Sequence, residues 1–124
     1  MQSPVGIVKI RHILGSKEFA DVLKNGKKTR GKIIFLYSKE CAAEERLSVG
    51  VVISKRVVPQ AVKRNYLRRL IYAYFRETEK VYKKGKQIVV RVMRNTQNMQ
   101  RKSLGKAVKE ELDILTKKQP LSND

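Results

Sequence analysis

Arg64, Asn65, Arg68, Arg69, Tyr72 and Arg76 lie in a stretch almost empty of acids: between Arg46 and Lys109 the only carboxylates are Glu77 and Glu79. Plotted as a helix at about 100° per residue, these six fall on one side and Val62, Tyr66, Leu67, Leu70, Ala73 and Tyr74 on the other. The guanidinium fork grips a phosphate with two parallel hydrogen bonds and also stacks on bases. Arginines beside an Asn and a Tyr therefore point to RNA rather than to charge attraction alone. The plain alternative is a solvated helix face, but such faces carry acidic partners at i, i+4, and this one does not.

Other chemistries find little support. His12 has no second His, Cys or carboxylate at ligand spacing, so it reads as a solvent-exposed imidazole and no metal site is expected. Glu77 and Glu79, two apart on a helix, point in different directions and make a poor acid/base pair. Cys41, the single cysteine, cannot form an internal disulfide and has no His near it in sequence. There is no Gly-rich phosphate loop, no nucleophile pattern and no carboxylate cluster for two metals, which disfavours a stand-alone nuclease.

The whole chain agrees with a polyanion partner. Lys plus Arg number 29 against 11 Asp plus Glu, a formal charge of +18 on 124 residues, and such an imbalance costs self-repulsion unless a polyanion covers it. A membrane surface would attract the same charge. The chain, however, has no apolar run of about 18 residues, and the aliphatics behind the basic helix read as core. The opening Met1-Gln2-Ser3-Pro4-Val5-Gly6 lacks a secretory layout, so a cytoplasmic location is expected.

The elements that must hold the arginines follow from spacing. Ser16 can cap a short helix with Phe19, Val22 and Leu23 inward, ended by Asn25-Gly26, which tolerate a left-handed cap. Lys32 to Ser38 and Leu47 to Ser54 read as strands apolar on both faces, hence covered by helices. Pro59 suits the first turn of a long helix running to about Glu79. Gln87 to Met93 reads as a further strand, and Arg101 to Lys117 as a helix with Leu104, Val108, Leu112 and Leu115 on one side. The order is helix, two or three strands, long helix, strand, helix. That implies an α+β fold, a two-layer α/β sandwich built as one domain over residues 1–124 with frayed ends.

Read in order, Glu18-Phe19, Lys24-Asn25-Gly26-Lys27, Phe35-Leu36-Tyr37, Arg46-Leu47-Ser48-Val49-Gly50-Val51, Ser54-Lys55-Arg56, Ala61-Val62-x-Arg64-Asn65, Arg68-Arg69-Leu70-Ile71 and Gly85-Lys86-x-Ile88-Val89-Val90 resemble the protein component of bacterial ribonuclease P, in register from about residue 11 to 117. Each piece is weak by itself, and their shared order and spacing are specific. The resemblance implies an αβββαβα order with a mixed sheet and a left-handed crossover at the arginine helix. It also implies a protein without catalytic residues of its own, assisting an RNA subunit that removes the 5′ leader of precursor tRNA with Mg2+ bound mainly by RNA. The implied partners are ribonuclease P RNA and precursor tRNA, with no membrane and no small-molecule substrate.

Carried over position by position, Arg64, Asn65, Arg68 and Arg69 match the basic motif, with Lys63, Tyr72 and Arg76 on the same helix and Lys55 and Arg56 in the loop entering it. Phe19 and Tyr37 match aromatic positions of the leader cleft, where stacking serves any base. Tyr66 departs from the usual Arg-Asn-Arg, Tyr72 stands where a basic residue is common, and the loop Val57-Val58-Pro59-Gln60 is one residue longer than the common form. The competing reading is a ribosomal or ribosome-assembly RNA-binding protein. A helix-turn-helix DNA binder fits less well, because strands flank the basic helix.

Overall fold

A computed structural model describes residues 11–13, 15–40, 47–78, 86–93 and 100–118. In chain order the elements are β1 (Arg11–His12), α1 (Ser16–Asn25), β2 (Lys27–Arg30), β3 (Ile34–Glu40), β4 (Ser48–Val52), α2 (Ala61–Thr78), β5 (Lys86–Val92) and α3 (Arg101–Lys118). The expected helix and strand order is present, preceded by the two-residue β1. The strands form one mixed sheet in the order β1-β4-β5-β3-β2. β4 pairs parallel with β1 and β5, while β3 pairs antiparallel with β5 and β2. Parallel β4 and β5 cannot be joined by a hairpin, and α2 is the crossover that links them.

Side chains alternate across the sheet and sort into two cores. One face carries Ile34, Leu36, Val49, Val51, Ile88, Val90 and Val92, buried under Leu67, Ile71, Tyr74 and Phe75 of α2 and Leu104, Val108, Leu112 and Leu115 of α3. The predicted apolar stripe of α3 is thus its buried face, and each such side chain contributes roughly 1.5–3 kcal/mol by leaving water. Tyr74 is buried as an amphipathic ring, its hydroxyl donating to Asp113 Oδ1 at 2.8 Å. Glu111 of α3 ties the helix layer to the β2–β3 turn. Its carboxylate accepts from the backbone N–H groups of Lys32, Ile33 and Ile34 at 2.9–3.1 Å.

The opposite face carries a smaller core of Ile13, Val22, Tyr37 and Val89, with Phe19, Leu23, Phe35 and Val52 packed against it. α1 therefore covers only one end of this face. Gly15, not Ser16, precedes the first turn of α1, and no side chain caps it. Gly26 closes the helix in an extended conformation, its N–H donating to Val22 O at 2.8 Å. A left-handed cap is not what selects glycine here. A Cβ at Gly26 would lie 2.5 Å from Val22 O and 2.9 Å from Ser38 O, so the chain can pass between helix and strand only without a side chain.

Candidate nucleic-acid interface

The segment between β4 and α2 sets where the ridge begins. Val57 and Val58 N–H donate to Ser54 O at 3.2 and 3.0 Å, forming a turn, and the first backbone bond of α2 runs from Arg64 N–H to Gln60 O at 3.1 Å. Pro59 thus lies just ahead of the helix, not inside it. Arg64 reaches back over this turn, Nη1 donating to the carbonyls of Val58 and Pro59 at 2.9 Å each. One turn on, Arg68 Nη1 donates to Val51 O at 3.1 Å, at the end of β4. Only one nitrogen of each fork appears in these bonds, and a guanidinium tethered this way loses less freedom when it grips a phosphate.

Asn65, Arg69 and Arg76 are exposed along the same arc, and Lys55 and Arg56 are exposed in the turn that leads into it. Lys63 differs from expectation. It is only 9% exposed, on the sheet-facing side with Leu67 and Ile71. A strand lying along the ridge would meet its neighbours instead. Val62, expected on the apolar side, is 62% exposed.

Five of the seven described acids are engaged away from this arc. Asp21 pairs with Lys39, and Glu40 with Lys86 at 3.2 Å. Gln87 Nε2 donates to Glu18 at 2.8 Å, Glu111 holds the β2–β3 turn, and Asp113 accepts from Tyr74. The bonds from Lys39 first, then from Asn25, hold the Asp21 carboxyl below its ordinary pKa. Glu77 is exposed at the far end of α2. The ridge therefore presents cations that no described carboxylate neutralises.

On the sheet, strand register builds a groove beside the ridge. Lys28, Tyr37, Val89 and Gly50 form one cross-strand row, and Arg30, Phe35, Arg91 and Val52 the next. α1 lies over the first row. Tyr37 is 6% exposed beneath it, and the Phe19 ring sits so close to Gly50 that an added Cβ would be 2.6 Å from Phe19 Cε1. The second row is left uncovered. The half-buried Phe35 ring has Lys28 Nζ at 5.1 Å and Arg30 Cζ at 5.5 Å from its centroid, and Arg91 is exposed on its other side.

Phe19 and Tyr37 share one core, in which Phe19 is the more exposed ring and Tyr37 is buried. Phe35 was not among the expected cleft residues. Its signal lies in register: only the β2–β3 pairing sets Lys28 and Arg30 beside it.

A cavity of about 330 Å³ joins this groove to the ridge, lined by Ile13, Phe19, Val51, Val52, Ile53, Arg68 and Tyr72. Tyr72 is half-buried there and stacks on the exposed His12 ring, centroids 4.2 Å apart and planes at 20°. Burial raises the Tyr72 pKa, with Arg68 and a Val51 backbone hydrogen bond pulling it partly back, so the phenol stays neutral and able to donate. Beyond Val52, a second cavity of about 450 Å³ is lined by Ser54, Arg56, Val57, Arg91 and Met93 among others. The arrangement is an electropositive path with rings set along it, as single-stranded nucleic acid requires.

A family model described as Ribonuclease P matches residues 8–116. The chain belongs to that family. It is 37% identical over 71 residues to the ribonuclease P protein component of Shouchella clausii (strain KSM-K16), a match spanning 57% of this chain and 57% of that protein. Its fold is similar to the ribonuclease P protein of Staphylococcus aureus, with a TM-score of 0.76 at 21% identity over 93% of this chain and 100% of the other. The ribonuclease P protein of Thermotoga maritima gives 0.67 at 21% identity, over 88% and 97% respectively. The α+β architecture and the family expected from the sequence are both borne out.

Proposed function

We propose that this chain is the protein subunit of ribonuclease P and assists RNA-catalysed removal of the 5′ leader from precursor tRNA in the cytoplasm. Arg64, Asn65, Arg68, Arg69 and Arg76 on α2, with Lys55 and Arg56 ahead of them, bind phosphates of the catalytic RNA and of the tRNA next to the cleavage site. The leader lies in the groove on the α1 face of the sheet. Phe19 and Phe35 stack on its bases, Tyr37 backs them, and Lys28, Arg30 and Arg91 meet its phosphates. Stacking and charge read no particular base, which suits a strand whose sequence varies among substrates.

The observation that carries this reading is the cavity at Arg68 and Tyr72, which Phe19 also lines. A strand held on the ridge can pass through it into the groove without leaving cationic surface. Magnesium supplies the metal-ion chemistry of phosphodiester hydrolysis. Among the described residues no three His, Cys, Asp or Glu side chains converge as ligands, and in this reading the ions are bound mainly by RNA. No helix among the described residues is long and apolar enough to cross a membrane.

The test is reconstitution: the purified chain mixed with a transcribed ribonuclease P RNA and a precursor tRNA at low magnesium, scored for the mature 5′ end. Stimulated processing is expected, together with tighter binding of precursor than of leaderless tRNA. No stimulation at any magnesium concentration would overturn the reading. Co-purification with ribosomal particles instead of one mid-sized RNA would favour the ribosomal alternative.

A further inference from the structure

α2 has two flanks, and the groove above uses only one. On the other, α2 and α3 enclose a cavity of about 330 Å³ lined by Tyr66, Arg69, Leu70, Ala73, Tyr74, Glu77 and Lys109. Tyr66 packs against α3 at Gly105: a Cβ there would stand 2.5 Å from Tyr66 Oη and 2.8 Å from Cε2. The Arg101 guanidinium, on the first turn of α3, sits 5.6 Å from the centre of the Tyr66 ring.

Lys102, Lys106 and Lys109 are exposed on α3 at i, i+4 and i+7, the stripe that includes the cavity-lining Lys109. No ion pair among the described residues joins these lysines to Glu110, Glu111 or Asp113 of the same helix.

Resting on the reading under Proposed function, we propose that this α2–α3 groove is a second RNA-contact surface, which takes the phosphodiester backbone of a folded RNA and not the leader. Arg69, Lys109 and Glu77 line it, Arg101 stands over the adjoining Tyr66 ring, and the exposed Lys102 and Lys106 continue the Lys109 stripe along α3. Charge complementarity selects a polyanion. Arg101 stands over the Tyr66 ring and the Tyr74 ring is buried, so the exposed groups of this groove are its cations, Arg69, Arg101 and Lys109. Tyr66 acts here as a positioning residue: it holds Arg101 by cation–π contact and wedges against the one position on α3 that has no side chain. α2 then forms a wall between two RNA strands, with Arg64, Arg68 and Tyr72 on one flank and Tyr66 and Arg69 on the other.

The test uses the full chain carrying Arg101→Glu with Lys109→Glu, both exposed, and separately Tyr66→Leu, compared with Arg64→Ala/Arg68→Ala. Folding is checked by circular dichroism. Binding to transcribed ribonuclease P RNA is titrated against salt, and the preference of the assembled particle for precursor over leaderless tRNA is measured alongside. Loss of two phosphate contacts lowers the salt slope by about 1.4–1.8, at roughly 0.7 per contact on single strands and 0.9 on a duplex. The α3 double variant is expected to show that loss, with leader preference unchanged. Tyr66→Leu is expected to show part of it and Tyr66→Phe none.

Unchanged affinity and slope in the α3 variant, while Arg64→Ala/Arg68→Ala still loses both, would overturn the second surface and leave the first reading intact. No loss in either set would overturn both. A fall in leader preference in the α3 variant would place the groove on the leader path, and loss of a self-associated form without loss of RNA affinity would assign it to protein contact. Either result would overturn the proposal.

Discussion

Replacing Gly50 with alanine adds one methyl group where the leader groove has no room for it. Gly50 lies in β4, paired with Val89 of β5 and next to Val49, which pairs with His12 of β1, so its backbone has little room to retreat. The new Cβ would stand 2.6 Å from Phe19 Cε1, 2.9 Å from Cζ and 3.1 Å from Ile13 Cβ. Ordinary carbon contacts lie at about 3.5–4.0 Å, so the ring must move out by about 1 Å. Overpacking of this kind costs about 1–3 kcal/mol, and the displaced ring faces solvent instead of the groove.

We expect Gly50→Ala to lower the urea midpoint and to reduce the affinity gained from a 5′ leader, with little change in the salt slope of RNA binding. The decisive assay is a double-mutant cycle with Phe19→Ala. Once the ring is gone the methyl has nothing to strike, so Gly50→Ala should be nearly neutral in that background, a coupling of about 1 kcal/mol or more. Costs that add within about 0.5 kcal/mol would refute the contact on which the geometry of the groove depends.

Other outcomes follow from the same contacts. Phe35→Ala should reduce leader-dependent affinity by about 1–3 kcal/mol without altering the salt slope, and equal binding of precursor and leaderless tRNA by the unaltered particle would contradict it. Glu111→Ala strands three backbone N–H groups at the β2–β3 turn and should cost about 1.5–3 kcal/mol in urea denaturation; an unchanged midpoint would show that water replaces the carboxylate freely. Tyr72 has a raised pKa in the folded state, so its contribution to stability is complete below the ordinary tyrosine value of 10.0 and is lost as pH rises through the raised value. The tyrosinate absorbance of the wild type minus that of Tyr72→Phe should therefore titrate late, and an ordinary or early midpoint would contradict burial of this ring.

Periodicity makes the two long helices and the three central strands legible, because their apolar residues recur at the spacing of a face buried against one partner. Leu104, Val108, Leu112 and Leu115 are the clearest case: all four are buried. β2 is not legible in that way. Lys27–Arg30 contains no apolar residue, and only its backbone pairing with β3 makes it a strand. The Arg30–Phe35–Arg91 row goes unseen for the same reason, since register is a property of pairs of strands.

Within α2 the helical plot places Arg64, Asn65, Arg68, Arg69 and Arg76 on the outer arc, but residue type misleads for Lys63 and Val62. A lysine can bury its stem on the sheet side, while the apolar Val62 beside it faces water. The Tyr66 departure acquires its physical reason only from α3, because Gly105 is the residue that makes room for it. The stack of His12 on Tyr72 likewise depends on β1 lying beside β4.

The central claim is that the cationic ridge of α2 grips RNA phosphates, and the salt dependence of RNA affinity tests it most directly. With Arg64, Arg68 and Arg69 all changed to alanine and folding verified, the slope of log affinity against log salt should fall by about 2, three contacts at roughly 0.7 each. An unchanged slope and affinity in that variant would contradict the account.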